Sequence, residues 1–472
     1  MATAKIASKG AKKKTGRSKD GFAIYQTRTA ETIHGKYRDQ KGQIASMLGL
    51  VSEAGSILDS YKRYLRDEID LDHNCDYLRI ELGDLLWYFA VVATACELEI
   101  SVIARENLAE AAKQYDARLP CIIESESIAS SEIVEAFAGY QREASKHCHL
   151  NLGGPQGLLA PLCGLAAAVG SILTFPRDQP GIFVLAENQP FFLKELGDLL
   201  WYISAVATAA GLNLGDIAQE NLVRARDLYP VSTTNIEKLL ESVPKIGISK
   251  KATENFPRVL VIRFDEQSTS DGPTATQTIV SANPNAFPRG PIPVPGAKSQ
   301  GFKIGAPLGN RTNDNARRAD GYRYHDAIHM AFMAVIGWSA TMRDLLRVKR
   351  KSQRATDREE DSARIIFLEE GIAATLARLA PLRMHFLGEN SVDGETIATI
   401  KALIQDTEVE GVPGWLWRRA ICQGFIAMHE LDKNKGGYLI ADLDRRQLSY
   451  SKMDPSNVTA KNSNKSAARA KR

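Results

Sequence analysis

Glu81 and Asp84 stand three residues apart in the run ELGDLLWY. On a helix that spacing puts both carboxylates on one face, while Leu82, Leu85 and Leu86 turn elsewhere. Glu53, on the preceding helical run, can face them across a bundle. Three oxygen ligands from two helices suit Mg²⁺, which keeps several waters and takes up substrate phosphates; Mn²⁺ would be accepted by the same set. Acids at this spacing also occur on solvated helix faces, so the pair alone decides nothing. A second group lies in YRYHDAIH, Tyr322 to His329. His325 and His329 are four apart on an expected helix with Asp326 between them, so both imidazoles share a face, and Glu369 and Glu370 on a later helix could add a carboxylate. The alternative is a hydrogen-bonded structural cluster. His147, Cys148 and His149 with Cys163 make a weaker zinc pattern, because adjacent ligands point apart.

The elements that must position these residues are repeated. ELGDLLWY occurs at 81–88 and again at 195–202. Upstream, Phe22-Ala23-Ile24-Tyr25-Gln26 aligns with Phe137-Ala138-Gly139-Tyr140-Gln141, and Gly49-Leu50 with Gly164-Leu165, each at an offset of 115. Downstream, IARENL at 103–108 aligns with IAQENL at 217–222 at an offset of 114. Register held to one residue over about a hundred positions means duplication. Met47, Leu48, Val51, Ala54, Ile57, Leu58, Tyr61 and Leu65 follow the three-and-four spacing of an amphipathic helix. Leu78, Leu82, Leu85, Leu86, Phe89 and Val92 do the same in the next run. Each repeat therefore reads as four helices, and short connections imply an antiparallel bundle.

The boundaries follow from composition. A basic tail occupies 1–20, the first repeat 21–120 and the second 132–232, separated by Pro120 and the Ser-rich stretch Ser125 to Ser131. A Pro/Gly-rich segment, 242–307, contains GPIPVPG and a strand-like run, RVLVIRF at 258–264, and reads as a linker with short strands. Helical periodicity returns in 308–450, which ends in a hairpin-like run, YLIADLDRRQLSY at 438–450; a second basic tail fills 451–472. The expected fold is mainly α: two tandem four-helix bundles followed by a smaller α+β domain.

The charge supports this division. The chain carries +4 overall, but residues 1–19 carry +7 and 451–472 carry +5, which leaves the body at −8. Tails rich in Lys, Ala, Ser and Asn are expected to be disordered, and solvated ends are favoured over nucleic-acid contact. The apolar runs Leu85 to Cys96 and Leu199 to Leu212 fall short of the ~20 residues that span a bilayer, so no membrane partner is expected. With no apolar stretch near the N-terminus and six cysteines lacking C-x-x-C spacing, the expected location is the cytoplasm. In the C-terminal domain, Arg343, Arg347, Lys349, Arg350, Lys351 and Arg354, with Asn313, Asp314, Asn315 and Asp320, would suit phosphate binding or form a solvated face. Trp338, Trp415 and Trp417 read as core or interface residues.

The string GLVSEAGSIL, then ELGDLLWY, then IARENLAE resembles the MazG family of all-α nucleoside triphosphate pyrophosphohydrolases, strongly over 22–118 and clearly over 137–229. The block DGYRYHDAIHMAFMAVIGWS resembles C-terminal modules that accompany some MazG-like proteins. The resemblance implies Mg²⁺ held by an E-x-x-E pair and an E-x-x-D pair, and hydrolysis of a nucleoside triphosphate to monophosphate and pyrophosphate. It further implies that a downstream Asn helps to bind substrate and that helical units dimerise, so a homo-oligomer is expected. Carried across, Glu53, Glu81 and Asp84 become metal-binding and catalytic residues and Asn107 a substrate-binding one. The chain departs from the pattern at Ser56, the second position of the first pair. In the second repeat Ala168 and Ser171 replace both acids of that pair, although Glu195, Asp198 and Asn221 persist, so this repeat reads as degenerate. A competing reading makes the chain a nucleotide sensor, with any chemistry in the C-terminal domain and a role such as phage defence.

Overall fold

The computed structural model describes residues 20–33, 39–67, 71–114, 131–153, 157–178, 188–230, 235–270, 272–283, 298–299, 302–317 and 319–455. The expectations for the two tails beyond Asp20 and Pro455, for the stretch around Pro120 and for GPIPVPG lie outside these residues. The chain divides into two compact units, Met1–Ser232 and Thr233–Arg472. It is mostly helical, with a small antiparallel sheet in the second unit.

The first unit contains α1 (Gly21–Glu31), α2 (Gln40–Asp67), α3 (Leu71–Ala95) and α4 (Ile100–Gln114). It continues with α5 (Glu132–Lys146), α6 (Leu159–Ile172), the short α7 (Thr174–Asp178), α8 (Gln189–Ala209) and α9 (Leu214–Leu228). Side-chain caps mark several starts: Asp20 accepts from the Phe22 amide at 3.0 Å, Ser131 from Val134 at 3.3 Å and Asn213 from Gly215 at 2.8 Å. The duplication is visible as a repeated hydrogen-bond bracket. Gln26 donates to Thr94 Oγ1 and Leu98 O and accepts from the Ile100 amide; Gln141 does the same with Thr208, Leu212 and Leu214.

The helices of the two repeats share one hydrophobic core instead of closing as two bundles. α4 packs against α8, and α9 against α3. The equivalent residues Phe22 and Phe137 meet edge to face, ring centroids 4.8 Å apart, as expected where equivalent halves face each other about a pseudo-two-fold axis. Phe137 is fully buried, and its truncation to Ala would cost about 3–5 kcal/mol. Leu159–Asp178 is long and apolar enough to cross a membrane. Its residues Leu162, Leu165, Val169 and Ile172 are nevertheless core residues here.

The second unit begins with α10 (Ile236–Ser242), β1 (Val259–Thr269) and β2 (Gly272–Asn283). After two short strands that pair with each other, β3 (Lys298–Ser299) and β4 (Phe302–Lys303), comes β5 (Thr312–Asn313). The helices α11 (Asp326–Ala331), α12 (Ala340–Leu345), α13 (Arg354–Glu359), α14 (Ala363–Leu379), α15 (Gly394–Leu403) and α16 (Gly414–Asn434) follow, and β6 (Gly436–Asp442) and β7 (Gln447–Ser451) close the unit. The antiparallel sheet runs β5-β2-β1-β6-β7. The hairpin expected at 438–450 is β6–β7.

The segment 242–307 is not merely a linker. It supplies the two longest strands of the sheet, and β1 runs between β2 and β6. β2 escapes a hydrophobic reading because the polar Thr274 and Gln277 are buried in it along with Ala275 and Ile279. α16 packs on β6, β7 and α11. Gly424 allows its close approach to α11, since a β-carbon there would lie 3.1 Å from Ile328 Cα. Trp338, Trp415 and Trp417 are all buried, and Phe332, Trp338 and Trp417 form a mutually packed aromatic triangle.

Candidate active site and metal centre

In the first unit α2 and α3 bring Glu53 to Glu81 and Asp84. Glu53 is pushed up to about 8 by burial and by the charges of Asp84 and Glu81, and shares a hydrogen bond with Glu81. Asp84 is pushed up to about 6 by burial; Arg224 opposes the shift and Glu81 adds to it. Tyr77 hydrogen-bonds to both Glu81 and Ser56, which places Ser56 beside the carboxylates.

The groups that complete this cluster come from the other repeat. Asn221 Nδ2 donates to Asp84 Oδ1 at 2.9 Å, and Arg224 reaches the same oxygen at 2.8 Å. Tyr25, fully buried, donates to Asn221 Oδ1 at 3.2 Å and orients the amide. The close crossing of α9 over α3 relies on Gly83, where a β-carbon would come within 3.1 Å of Asn221 Cβ. Three carboxylates face one guanidinium; burial is the main cause that raises Glu53 and Asp84, and at Glu53 the charges of Asp84 and Glu81 add to it. The donor set is all oxygen, the kind a hard divalent cation prefers, although the three carboxylates do not all lie within 4.8 Å of one another as they stand.

Asn107 does not lie beside Asp84. α4 crosses to α8, so Asn107 meets Gly197, with its Oδ1 accepting from Tyr140 at 2.6 Å. The second repeat thus reproduces the Tyr–Asn–Gly arrangement beside Glu195 and Asp198, but its charge is settled differently. Lys194 Nζ lies 3.2 Å from Glu195 and 2.9 Å from Asp198. Its counterpart in the first repeat is Ile80, and the counterpart of Arg224 is Glu110. Ala168 stands, buried, where the first repeat has Glu53.

The second unit gathers the other group. A turn at Tyr322–Tyr324 leads into α11, and it is pinned by the buried Arg323, which pairs with Asp314 at 2.9 Å, Glu266 at 2.8 Å and Asp432. His325 therefore ends the turn instead of lying within the helix, yet its backbone is near-helical and the four-residue relation to His329 survives. His325, Asp326 and His329 each offer a ligand atom, all within 4.8 Å of one another. Among the described residues no other His/Cys/Asp/Glu group meets that spacing; neither the Glu53, Glu81 and Asp84 cluster nor the His147, Cys148, His149 and Cys163 pattern does.

α14 supplies Glu369 and Glu370, which play different parts. Glu369, fully buried, is saturated: Ser339 Oγ donates at 2.6 Å, the Thr341 amide at 2.9 Å, and His329 Nδ1 lies at 2.8 Å. Glu370 approaches His329 Nε2 at 3.3 Å and His325 Nε2 at 3.8 Å. Burial works to push His329 down, but Glu369 and Glu370 hold it well above its ordinary value.

Residues 296–454 match the family model of the MazG C-terminal domain. That span carries His325, Asp326, His329, Glu369 and Glu370, while β1, β2 and the whole first unit precede it. The chain is also 40% identical over 63 residues, 13% of its own length, to the Gene 37 protein of Mycobacterium phage L5, of which the match covers 55%. The chain thus spans about half the length of that curated relative. No solved structure matches.

The basic run that follows the histidines in the sequence divides in two. Arg343 and Arg350 are buried and structural: Arg343 donates to the carbonyls of Glu254 and Val348, and Arg350 pairs with Asp361 at 2.6 Å and Glu408 at 2.7 Å. Arg347, Lys349 and Lys351 line an open cavity of about 480 Å³ together with Lys251, Thr253, Glu254 and Asp344. Asp314 is committed to Arg323.

Sequence reading missed Arg224, Tyr25, Gln277 and Ser339. Arg224 carried a signal, since its counterpart, Glu110, has the opposite charge. Gln277, which donates to Asp326 Oδ2, carried none, being one polar residue in a polar strand.

Proposed function

We propose that the chain is a divalent-cation-dependent nucleotide pyrophosphohydrolase, converting a nucleoside triphosphate and water to monophosphate and pyrophosphate. The observation that carries this reading is the meeting of Glu53, Glu81 and Asp84 with Asn221 and Arg224 of the other repeat. Glu53, Glu81 and Asp84 would hold Mg²⁺, which neutralises triphosphate charge and acts as a Lewis acid when bound. Arg224 offers a guanidinium fork to a phosphate oxygen. Asn221, oriented by Tyr25, positions substrate, and Glu53, more basic than an ordinary carboxylate, takes the proton of the attacking water. All five of these residues come from one chain, so self-association is a separate proposal from activity.

Arg224 bound to Asp84, and Ser56 in place of an acid, favour a second reading: nucleotide binding without turnover. Incubation of the whole chain with a panel of nucleotides and Mg²⁺, followed by anion-exchange separation, tests both. Monophosphate and pyrophosphate in equal amounts support hydrolysis. Saturable binding with unchanged nucleotide supports the sensor, and neither result leaves the first unit without this role.

A further inference from the structure

We propose that His325, Asp326, His329 and Glu370 form a binding site for a divalent transition-metal ion, best matched by Zn²⁺, with one side open to solvent. This assignment is independent of the carboxylate cluster in the first unit.

The two imidazoles are arranged as metal ligands are. In each ring Nδ1 is already occupied, in His325 by the Tyr322 carbonyl at 2.9 Å and in His329 by Glu369 at 2.8 Å, which leaves both Nε2 atoms facing the cluster. An outer carboxylate or carbonyl on the far nitrogen is the usual way a ligating histidine is oriented. Asp326 is held in the same manner, its Oδ2 accepting from Gln277 while its Oδ1 faces His325. Tyr322 stacks on the His325 ring at 4.5 Å and 9°, restricting its rotation.

The atoms that face the cluster are not well-formed hydrogen-bond partners of one another. His329 Nε2 is fully buried and has no hydrogen-bond partner, although Glu370 Oε1 lies 3.3 Å away. His325 Nε2 stands 3.6 Å from Asp326 Oδ1 and 3.8 Å from Glu370 Oε2, too long for hydrogen bonds. Metal–ligand bonds of about 2.0–2.1 Å make the edge of a tetrahedral shell roughly 3.3–3.4 Å. The separations of 3.3–3.8 Å approach that edge; His325, Asp326 and His329 share a spacing within 4.8 Å, and Glu370, outside that group, reaches both imidazoles from the open side.

The donor set also states the class of ion. Two imidazoles with two carboxylates suit zinc and its neighbours better than Mg²⁺ or Ca²⁺, which prefer oxygen. Glu369 is excluded as a ligand because its oxygens are taken by Ser339, Thr341 and His329, so Glu370 supplies the fourth group. With its side chain 38% exposed, against 15% for His325, Glu370 marks the side from which an ion and a water would enter. Directly after α11 the backbone widens into a π-turn at Phe332–Ile336, a distortion frequent beside functional sites.

The test uses the full-length chain, stripped of metal and titrated calorimetrically with Zn²⁺, and in parallel with Co²⁺ read by visible absorption. We expect one tight site per chain and Co²⁺ bands of a nitrogen–oxygen shell without thiolate charge transfer. His325→Asn and Glu370→Gln, both at partly exposed positions, should each weaken Zn²⁺ at least tenfold and alter the Co²⁺ spectrum. Glu81→Gln should leave the tight Zn²⁺ site and its Co²⁺ spectrum unchanged, altering only weaker binding at the carboxylate cluster of the first unit. Circular dichroism confirms folding, and His329 is left intact because its burial makes misfolding a rival explanation. Absence of stoichiometric Zn²⁺ binding in the unsubstituted chain, or equal affinity in His325→Asn and Glu370→Gln, would overturn the assignment.

Discussion

Two copies of one helical plan hold their acids in opposite electrostatic states. Beside Glu81 and Asp84 the nearest cation is Arg224, brought from the other repeat, and a third acid, Glu53, leaves negative charge in excess. Beside Glu195 and Asp198 the cation is Lys194 of the same helix, four residues before Asp198, while α6 contributes Ala168. The supporting frame is the same: Tyr25 to Asn221 in one, Tyr140 to Asn107 in the other. The shared backbone and hydrogen-bond frame therefore does not set the charge of the cluster it holds. On the proposed function, local charge count decides whether a cation is held, and a lysine within reach of both carboxylates would take the electrostatic place of a metal.

The largest expected effect tests whether activity follows that charge count. If nucleotide hydrolysis occurs in this unit, Glu81→Gln should lower kcat/KM at least 10²-fold, or roughly 3 kcal/mol of transition-state stabilisation. Glu195→Gln should stay within about twofold of the parent by the same steady-state assay. Equal losses would mean that the two acid pairs act together, and the contrast drawn above would fail.

A tenfold effect is expected from the crossing of the helices. Asn221→Ala should lose about tenfold in kcat/KM, about 1.4 kcal/mol, because it contacts Asp84, whereas Asn107→Ala should not. The reverse result would place the substrate at Asn107, beside Glu195 and Asp198. This exchange is the part of the site hidden from the sequence. ELGDLLWY at both positions disclosed the duplication, and the spacing of Glu53, Glu81 and Asp84 disclosed their common face. Nothing in a linear repeat, however, says whether the last helix packs on its own third helix or on its twin's. Asn107 and Asn221 are identical in type and neighbourhood, so only the three-dimensional crossing separates them. The histidine group was legible for a different reason: four-residue spacing survives a change from helix to turn at His325. The distinct parts of Glu369 and Glu370 were not, because they depend on Ser339 and Thr341 arriving from another segment.

A smaller effect is a slope with pH. Glu53 rises from 4.5 to about 8 and Asp84 from 3.8 to about 6 on folding. Between the ordinary and the raised value the folded state holds more protons than the unfolded one, so stability must fall as pH rises through that window. In metal-free protein, denaturant unfolding of the first unit should show stability declining from about pH 4 to 8, with Glu53→Gln flattening the upper part. Mg²⁺ should reduce the slope by taking the place of the protons. A stability that rises across the window would mean that the carboxylates are not crowded as described.

The smallest effect comes from trying to turn the second repeat into the first. Ala168→Glu restores the acid that stands at Glu53 in the first repeat, and Lys194→Ile removes the ammonium and installs the residue found at position 80. Ser171 needs no change, since Ser56 already stands at the equivalent place. Lys194 is largely exposed, so its replacement alone should shift stability by no more than about 0.5 kcal/mol. The double variant should gain a second, weak Mg²⁺ site, read calorimetrically as an added binding event that Glu195→Gln removes. Ala168→Glu alone should not gain it, because Lys194 would still neutralise the pair. Hydrolysis should improve little, since Glu110 stands where the first site draws Arg224. A second site appearing without the lysine change would show that the missing acid, rather than the resident ammonium, keeps the second repeat empty of cations.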